Sequence, residues 1–334
     1  MSVEPFKAGP IDWKQLSVLI TGGTGSFGNK LVEIMLRDHQ PRRLVVFSRD
    51  ELKQSEMRPR FDDPSGSLRF FVGDVRDRDR LERAMHGVDV VFHAAAMKQI
   101  PACEYNPFEA IQTNVLGTKN VIDAAIDQGV KRVVGLSTDK ACQPLNIYGA
   151  TKLCAEKLLI QGNAYGHPRG TVFSVVRYGN VIGSRGSVIP LFASQSKSGR
   201  VTVTDRTMTR FWITLSEGVN FAVRCATSMR GGEIFVPKIP SMRIMDLVQA
   251  VAPGCAIEDI GIRPGEKLHE ILISEDESRQ ALELDDMFII EPLYPSWNFP
   301  AAEHGKRPEA GFHYSSDANQ TWLSLEQMQE MAGG

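Results

Sequence analysis

This 334-residue chain has little of what would mark it for a membrane, an oxidising compartment or a nucleic acid. Its longest apolar runs, such as Val88-Asp89-Val90-Val91-Phe92, are far too short to span a bilayer. The N-terminus, MSVEPFKAGPIDWKQ, lacks the basic-then-apolar pattern of a secretory leader. Five cysteines, Cys103, Cys142, Cys154, Cys225 and Cys255, are scattered without a Cys-x-x-Cys, which argues against structural zinc or a disulfide framework. His269-Glu270 lacks the second histidine of a zincin helix, so no metal is expected. A formal net charge of −2 gives no overall pull toward nucleic acid or anionic lipid. With 42% hydrophobic residues, the chain has the composition of a globular protein with reduced thiols, expected in the cytoplasm.

What is present is an alternation of short apolar strands and amphipathic helices, without internal repeats. It predicts an α/β fold, a doubly wound parallel sheet. The apolar runs place strands at Leu16–Ile20, Leu44–Phe47, Leu68–Val72, Val88–Phe92, Arg132–Leu136 and Val172–Arg177. Helices are expected over Asn29–Arg37, from near Asp77, over Pro107–Gln128 and from Leu323. Residues 1–182 read as a dinucleotide-binding domain. Residues 183–334 read mainly as a smaller substrate-binding region, with some segments returning to the sheet.

Gly22, Gly25 and Gly28 form Gly-x-x-Gly-x-x-Gly between the first strand and its helix. Glycines there permit a tight turn and let the backbone approach a pyrophosphate at the helix N-terminus. The second strand ends in Ser48-Arg49-Asp50, with Lys53 one turn on, where such folds discriminate the ribose 2′ position. A hydroxyl and a guanidinium suit a 2′-phosphate, hence NADP; the alternative has Asp50 take the ribose and leaves Arg49 a solvated charge. Asp74 either accepts from the adenine amine or caps the next helix. Ala94, Ala95 and Ala96 are small enough for a cofactor to lie against the fourth strand's end, and His93 reads as a packed residue. Asn114, unfavourable in mid-helix, suggests an orienting task for water or backbone.

The chemistry concentrates in Ser137–Lys152, STDKACQPLNIYGATK. Tyr148 and Lys152 are spaced to share a helix face. A nearby ammonium can lower a phenol's pKa, giving a base able to take a proton from an alcohol. Alone, Tyr-x-x-x-Lys reads more readily as a buried tyrosine beside a surface lysine; Thr138, Asp139 and Lys140 at the preceding strand end, and the nucleotide-binding start upstream, reverse that preference toward catalysis. Thr209–Trp212 and Arg263–Lys267 read as loops that present cations to phosphate, or as solvated surface charge.

The motifs TGGTGSFG, SRDELKQ, GDVRD, HAAAMKQIP, TNVLGTKNV, STDKA, YGATK, VRYGNVIGSRGSVIP, MTRFWIT and RPGEKLHE span residues 21 to about 270. On them the chain resembles the extended short-chain dehydrogenases/reductases. Within these it resembles the nucleotide-sugar 4,6-dehydratases of the soluble inverting type, which act on UDP-N-acetylglucosamine and open pseudaminic acid biosynthesis for flagellin glycosylation. That resemblance implies an NADP-dependent lyase, a likeness to homo-oligomers, and no membrane or nucleic-acid partner. It implies that Tyr148, helped by Lys152, takes the sugar O4 proton as hydride leaves C4, and that Thr138 bonds near O4. Lys140 would remove the C5 proton and Asp139 protonate the departing O6. The cofactor would lie on Gly22, Thr24, Gly25, Ser26, Phe27, Ser48, Arg49, Lys53, Asp74, Val75, Ala94, Ala95, Ala96, Tyr148 and Lys152. Substrate would lie on Lys98, Thr138, Asn180, Val188, Arg210, Arg263 and Glu266. One departure is Cys142, where Val is usual after STDKA, with possible effects on packing or oxidant sensitivity. The alternatives on this scaffold are a retaining dehydratase or a 4-epimerase and, more remotely, a non-catalytic NADP sensor. An epimerase has no need of the Asp139–Lys140 pair, and a sensor no need of an intact Tyr148 and Lys152.

Overall fold

A computed structural model describes residues 11–182, 188–297, 299 and 305–333. Residues 183–187, where the second region was expected to begin and which fall inside the VRYGNVIGSRGSVIP motif, lie outside it, as does most of the N-terminal stretch read above.

Six parallel strands form the frame: β1 (Ser17–Thr21), β2 (Arg43–Ser48), β3 (Leu68–Val72), β4 (Val90–His93), β5 (Arg132–Thr138) and β6 (Val172–Tyr178). Their order across the sheet is β3-β2-β1-β4-β5-β6. The chain therefore builds outward from β1 in one direction, then restarts at β4 and builds in the other. Ligand crevices of such sheets open at that reversal, beyond the strands' carboxyl ends. Val18, Leu19 and Ile20 are fully buried, as expected of strands covered on both faces. Beyond β6 the same sheet takes in Ile234–Pro237, parallel to β6, and then Met287–Ile290 and Ala281–Glu283, each antiparallel to the strand before it in the sheet. A second, smaller apolar cluster gathers Phe192, Val201, Trp212, Leu247 and Met328.

The strands were placed to within two residues, but five run further at their carboxyl ends than hydrophobicity suggested. Thr21, Ser48, His93 and Thr138 remain in the ladder because their polar groups find partners. Thr21 Oγ1 lies 2.7 Å from His93 Nδ1, and Thr24 donates to Ser48 Oγ at 3.1 Å. The first helix starts at Ser26, not Asn29, and ends in a π-turn, Met35–His39, closed by left-handed Gln40. The helix expected over Pro107–Gln128 is interrupted by a second π-turn, Gln112–Leu116, that contains Asn114. The last helix starts at Leu325 rather than Leu323. Thr209–Trp212, expected as a loop, belongs to a buried strand, Thr209–Thr214.

The outer segment is joined to the frame by charge as well as by hydrogen bonds. Arg177 of β6 is fully buried. Its guanidinium pairs with Glu156 at 2.6 Å and Glu277 at 2.8 Å and donates to the Leu272 carbonyl. Burial works against the Glu277 carboxylate, yet Arg177 outweighs it and holds the pKa at about 2.

Candidate active site

One continuous cavity of about 1150 Å³ runs from the glycine turn across the ends of β1, β4 and β5 to the 263–270 segment. A single small-molecule site occupies roughly 300–1,000 Å³, so the space suits two ligands side by side. At one end its wall is mostly backbone. Gly22 has φ +68°, and a Cβ there would stand 2.8 Å from the Ala95 backbone. At Gly28 a Cβ would fall 2.3 Å from the Gly23 carbonyl oxygen. The helix beyond is N-capped by Gly25, which has no side chain to satisfy the first N–H groups. A turn without Cβ atoms, opening onto a helix N-terminus, suits a pyrophosphate. Thr24, Ser26, Phe27, Ser48, Arg49, Lys53, Asp74, Val75 and Ala94–Ala96 continue the same wall toward Tyr148 and Lys152.

Asp50 caps the helix Glu51–Met57 through the Lys53 N–H and also pairs with the Lys53 ammonium. Both features take up the carboxylate that would otherwise face a ribose. The Arg49 side chain is 58% exposed and lies 3.7 Å from Asp74. Asp74 does not cap the following helix. Asp77 does, accepting from Arg80 N–H, while Asp74 accepts from the backbone and guanidinium of Arg76. Ser48 Oγ is held by Thr24 and Gln54.

At the other end the wall is side chain. Asn146 caps the helix Ile147–Gly166 by accepting from Gly149 N–H at 2.8 Å. A Cβ on Gly149 would fall 2.1 Å from the Lys140 carbonyl oxygen. The glycine thus lets this helix press against the turn Asp139–Ala141 and brings Tyr148 beside Thr138. Asn114 accepts from Met97 N–H and donates to the Met97 carbonyl and Thr151 Oγ1. Its mid-helix position therefore serves backbone: it fastens the segment after β4 to the Tyr148 helix. His93 lies between Thr21 and Thr118, and burial pushes its pKa down to about 3, in keeping with a packed residue.

The expected Tyr148–Lys152 couple takes a different form. Lys152 Nζ donates to the Leu136 carbonyl at 2.6 Å, tied to the end of β5, and burial lowers its pKa to about 8. Burial pushes the Tyr148 phenol up to about 12, and the charge opposing this is that of Lys140, aided by a Thr138 hydrogen bond. Lys140, through its charge, thus favours the phenolate against burial. Its Nζ has three oxygens within 3.3 Å: Asp139 Oδ1 at 3.1 Å, Asn180 Oδ1 at 3.3 Å and Glu270 Oε1 at 3.3 Å. Burial disfavours the ammonium, but the two carboxylates outweigh it and hold the pKa above its ordinary value. Asp139 has no exposed surface and stays off the cavity wall. It accepts from the Thr138 hydroxyl at 2.7 Å, and its Oδ2 has no partner.

Lys98, Asn180, Val188, Arg210, Arg263 and Glu266 all line this end. Burial lowers the Lys98 pKa, and the Lys140 charge adds to the effect. Arg210 is not an open fork. It is buried and donates to the carbonyls of Thr209, Lys267 and Leu268. Lys267 reaches the Cys142 carbonyl. The Cys142 thiol is buried 3.3 Å from Glu277 Oε2, and burial raises its pKa to about 12, which disfavours the reactive thiolate. Sequence reasoning passed over Glu270 after testing it only as a metal ligand. Its apolar neighbours in Leu268-His269-Glu270-Ile271-Leu272 were a signal that this acid is buried.

A parallel sheet reversing at β1/β4, with a glycine turn, Tyr148 and a Thr-Asp-Lys strand end along one cavity, defines a Rossmann-type nucleotide-binding enzyme. The chain belongs to the family described as polysaccharide biosynthesis protein, whose model matches residues 18–292. It is 48% identical over 324 residues to the UDP-N-acetylglucosamine 4,6-dehydratase (inverting) of Campylobacter jejuni, covering 94% of this chain and 96% of that protein. It is 42% identical over 324 residues to a protein of Rickettsia conorii named UDP-glucose 4-epimerase, covering 94% of each. Among solved structures it is similar to Pen from Bacillus thuringiensis, with TM-score 0.87, 42% identity and 96% and 98% of the two chains covered. Among the described residues, no helix is long and apolar enough to cross a membrane.

Proposed function

We propose that this protein dehydrates UDP-N-acetylglucosamine across C5 and C6 with inversion at C5, using NADP, and so supplies pseudaminic acid synthesis. The observation that carries the reading is the Asp139–Lys140 pair beside Thr138 and Tyr148, in one cavity with a dinucleotide cradle. The 48% identity to the Campylobacter dehydratase supports it. The preference for NADP rests on Ser48 and the open Arg49 guanidinium, with Asp50 engaged as a helix cap.

When bound, the nicotinamide ring supplies a reversible store for the hydride that leaves C4 and returns to C6. Tyr148 takes the O4 proton, favoured by the Lys140 charge. The resulting 4-ketone acidifies C5–H. Lys140 becomes a free amine by passing a proton to Asp139, which arms base and acid in one transfer. The amine lone pair then takes the C5 proton, the C5–H electron pair moves into the enolate, and the C6–O6 bond breaks. Asp139 is covered, so its proton reaches O6 through the Thr138 hydroxyl and water leaves. Return of hydride to C6 and of a proton to C5 on the face opposite Lys140 completes the reaction; Tyr148, carrying the O4 proton, is the donor. The Rickettsia name supports a second reading as a 4-epimerase, which has no use for a C5 base.

Incubation with UDP-N-acetylglucosamine in D₂O, followed by NMR, tests the proposal. The expected product is the 4-keto-6-deoxy sugar, inverted at C5 and carrying deuterium there. A C4 epimer, or an early product with unchanged C5 configuration, would overturn it.

A further inference from the structure

Glu270 is assigned no role by the mechanism above. Its side chain is 2% exposed, yet it lines the cavity. One carboxylate oxygen lies 3.3 Å from Lys140 Nζ and 3.8 Å from Arg210 Nε; the other, fully buried, has no hydrogen-bond partner. Its backbone is fixed on both sides, since Glu270 N–H donates to Ser316 Oγ and Ser316 N–H donates to the Glu270 carbonyl. Ser316 in turn contacts Thr209, the neighbour of Arg210. A buried carboxylate with half its acceptor capacity unused is costly. A purely structural partner for Arg210 is superfluous, because three backbone carbonyls already serve that guanidinium.

We propose that Glu270 is a positioning residue for elimination, holding the Lys140 amine against C5 from the side opposite Asp139. The inference rests on the dehydratase reading. When Lys140 gives a proton to Asp139 it loses its attraction to that carboxylate, and a neutral amine on a four-carbon stem would otherwise swing freely. Asn180 holds it only by an amide dipole. Glu270, 3.3 Å away, gives up no contact in that transfer and continues to accept an amine N–H, so the lone pair stays aimed while the C5–H bond breaks. Because Glu270 also adjoins Arg210, the same carboxylate ties the base to the segment expected to carry the nucleotide.

Glu270→Gln keeps the shape and removes the charge. Steady-state kinetics should show kcat lowered about 10- to 100-fold, the loss expected for one charge-assisted contact, and KM for UDP-N-acetylglucosamine within about threefold of wild type. In a single turnover, reduced-nicotinamide absorbance should still rise to the wild-type amplitude, because Tyr148 is present and Asp139 still supports the Lys140 charge that favours its phenolate. With C5-deuterated substrate the isotope effect on kcat should exceed that of wild type, since C5–H cleavage becomes limiting. If Glu270→Gln does not fold, Glu270→Asp, with the charge drawn back, should give the same larger isotope effect. An unchanged kcat, or loss of the first oxidation in step with turnover, would overturn the inference. Wild-type enzyme that leaves the substrate untouched would instead defeat the parent reading.

Discussion

At one end of the cavity, Gly22, Gly25 and the helix beginning at Ser26 are chain neighbours; at the other, Lys140, Arg210 and Glu270 arrive from three distant segments. The first end recognises by the absence of side chains, through a positive-φ glycine and a helix N-terminus capped by glycine. The second works by charges buried against one another, each setting the proton affinity of the next. A shape made of backbone resists pH and salt but tolerates no added atom. A network of buried charges tolerates small changes of shape but not the loss of a charge.

Substitutions can break or sharpen that contrast. Lys140→Ala should have the largest effect, lowering kcat about 10²- to 10⁴-fold, as for loss of a general base. Binding of NADP and UDP-sugar, read by calorimetry, should stay within about threefold; a matching loss of binding would make this end a recognition surface only. Gly22→Ala should act in the opposite way. The added Cβ meets Ala95 at 2.8 Å on a backbone of φ +68°, which costs on the order of 1–3 kcal/mol. Thermal melts and cofactor titration should show lower stability and weaker NADP binding. Wild-type affinity would mean that the turn yields more readily than its contacts suggest. Arg49→Ala should weaken NADP binding about 10- to 100-fold and NAD binding far less; equal losses would show that Arg49 serves the adenine or the loop. Cys142→Val, the smallest, should leave stability within about 1 kcal/mol and turnover within about twofold of wild type, checked by melting and initial rates.

The same contrast explains what could be read from the sequence. The glycine turn, the frame strands and the residues lining that end of the cavity were legible because backbone geometry is written in neighbouring residues. Even there the apolar pattern stopped short, since Thr21, Ser48 and His93 stay in strands through partners that hydrophobicity does not report. Asn114 was noticed as out of place, but the π-turn and its hold on Met97 depend on a tertiary contact. The Tyr148–Lys152 spacing was read correctly as one helix face, yet the Leu136 carbonyl, which captures Lys152, comes from another element. The meeting of Glu270, Arg210 and Lys140 needed the fold, because apolar neighbours can hint that a charge is buried but do not say which charges it meets.

The Arg177 cluster bears on how the chain is made. Its three members leave the ribosome far apart, with Glu156 and Arg177 separated by 21 residues and Glu277 following Arg177 by 100. A nascent chain that has completed β6 holds a guanidinium with two of its three partners missing, and a buried charge left short of partners costs about 3–5 kcal/mol. The strand Ile234–Pro237, which extends the sheet beyond β6, is also still unmade at that point. The part of the sheet that ends at β6 is thus unfinished until the segment around Glu277 docks, and a fragment ending before residue 277 should be a client of chaperones rather than a free-standing domain.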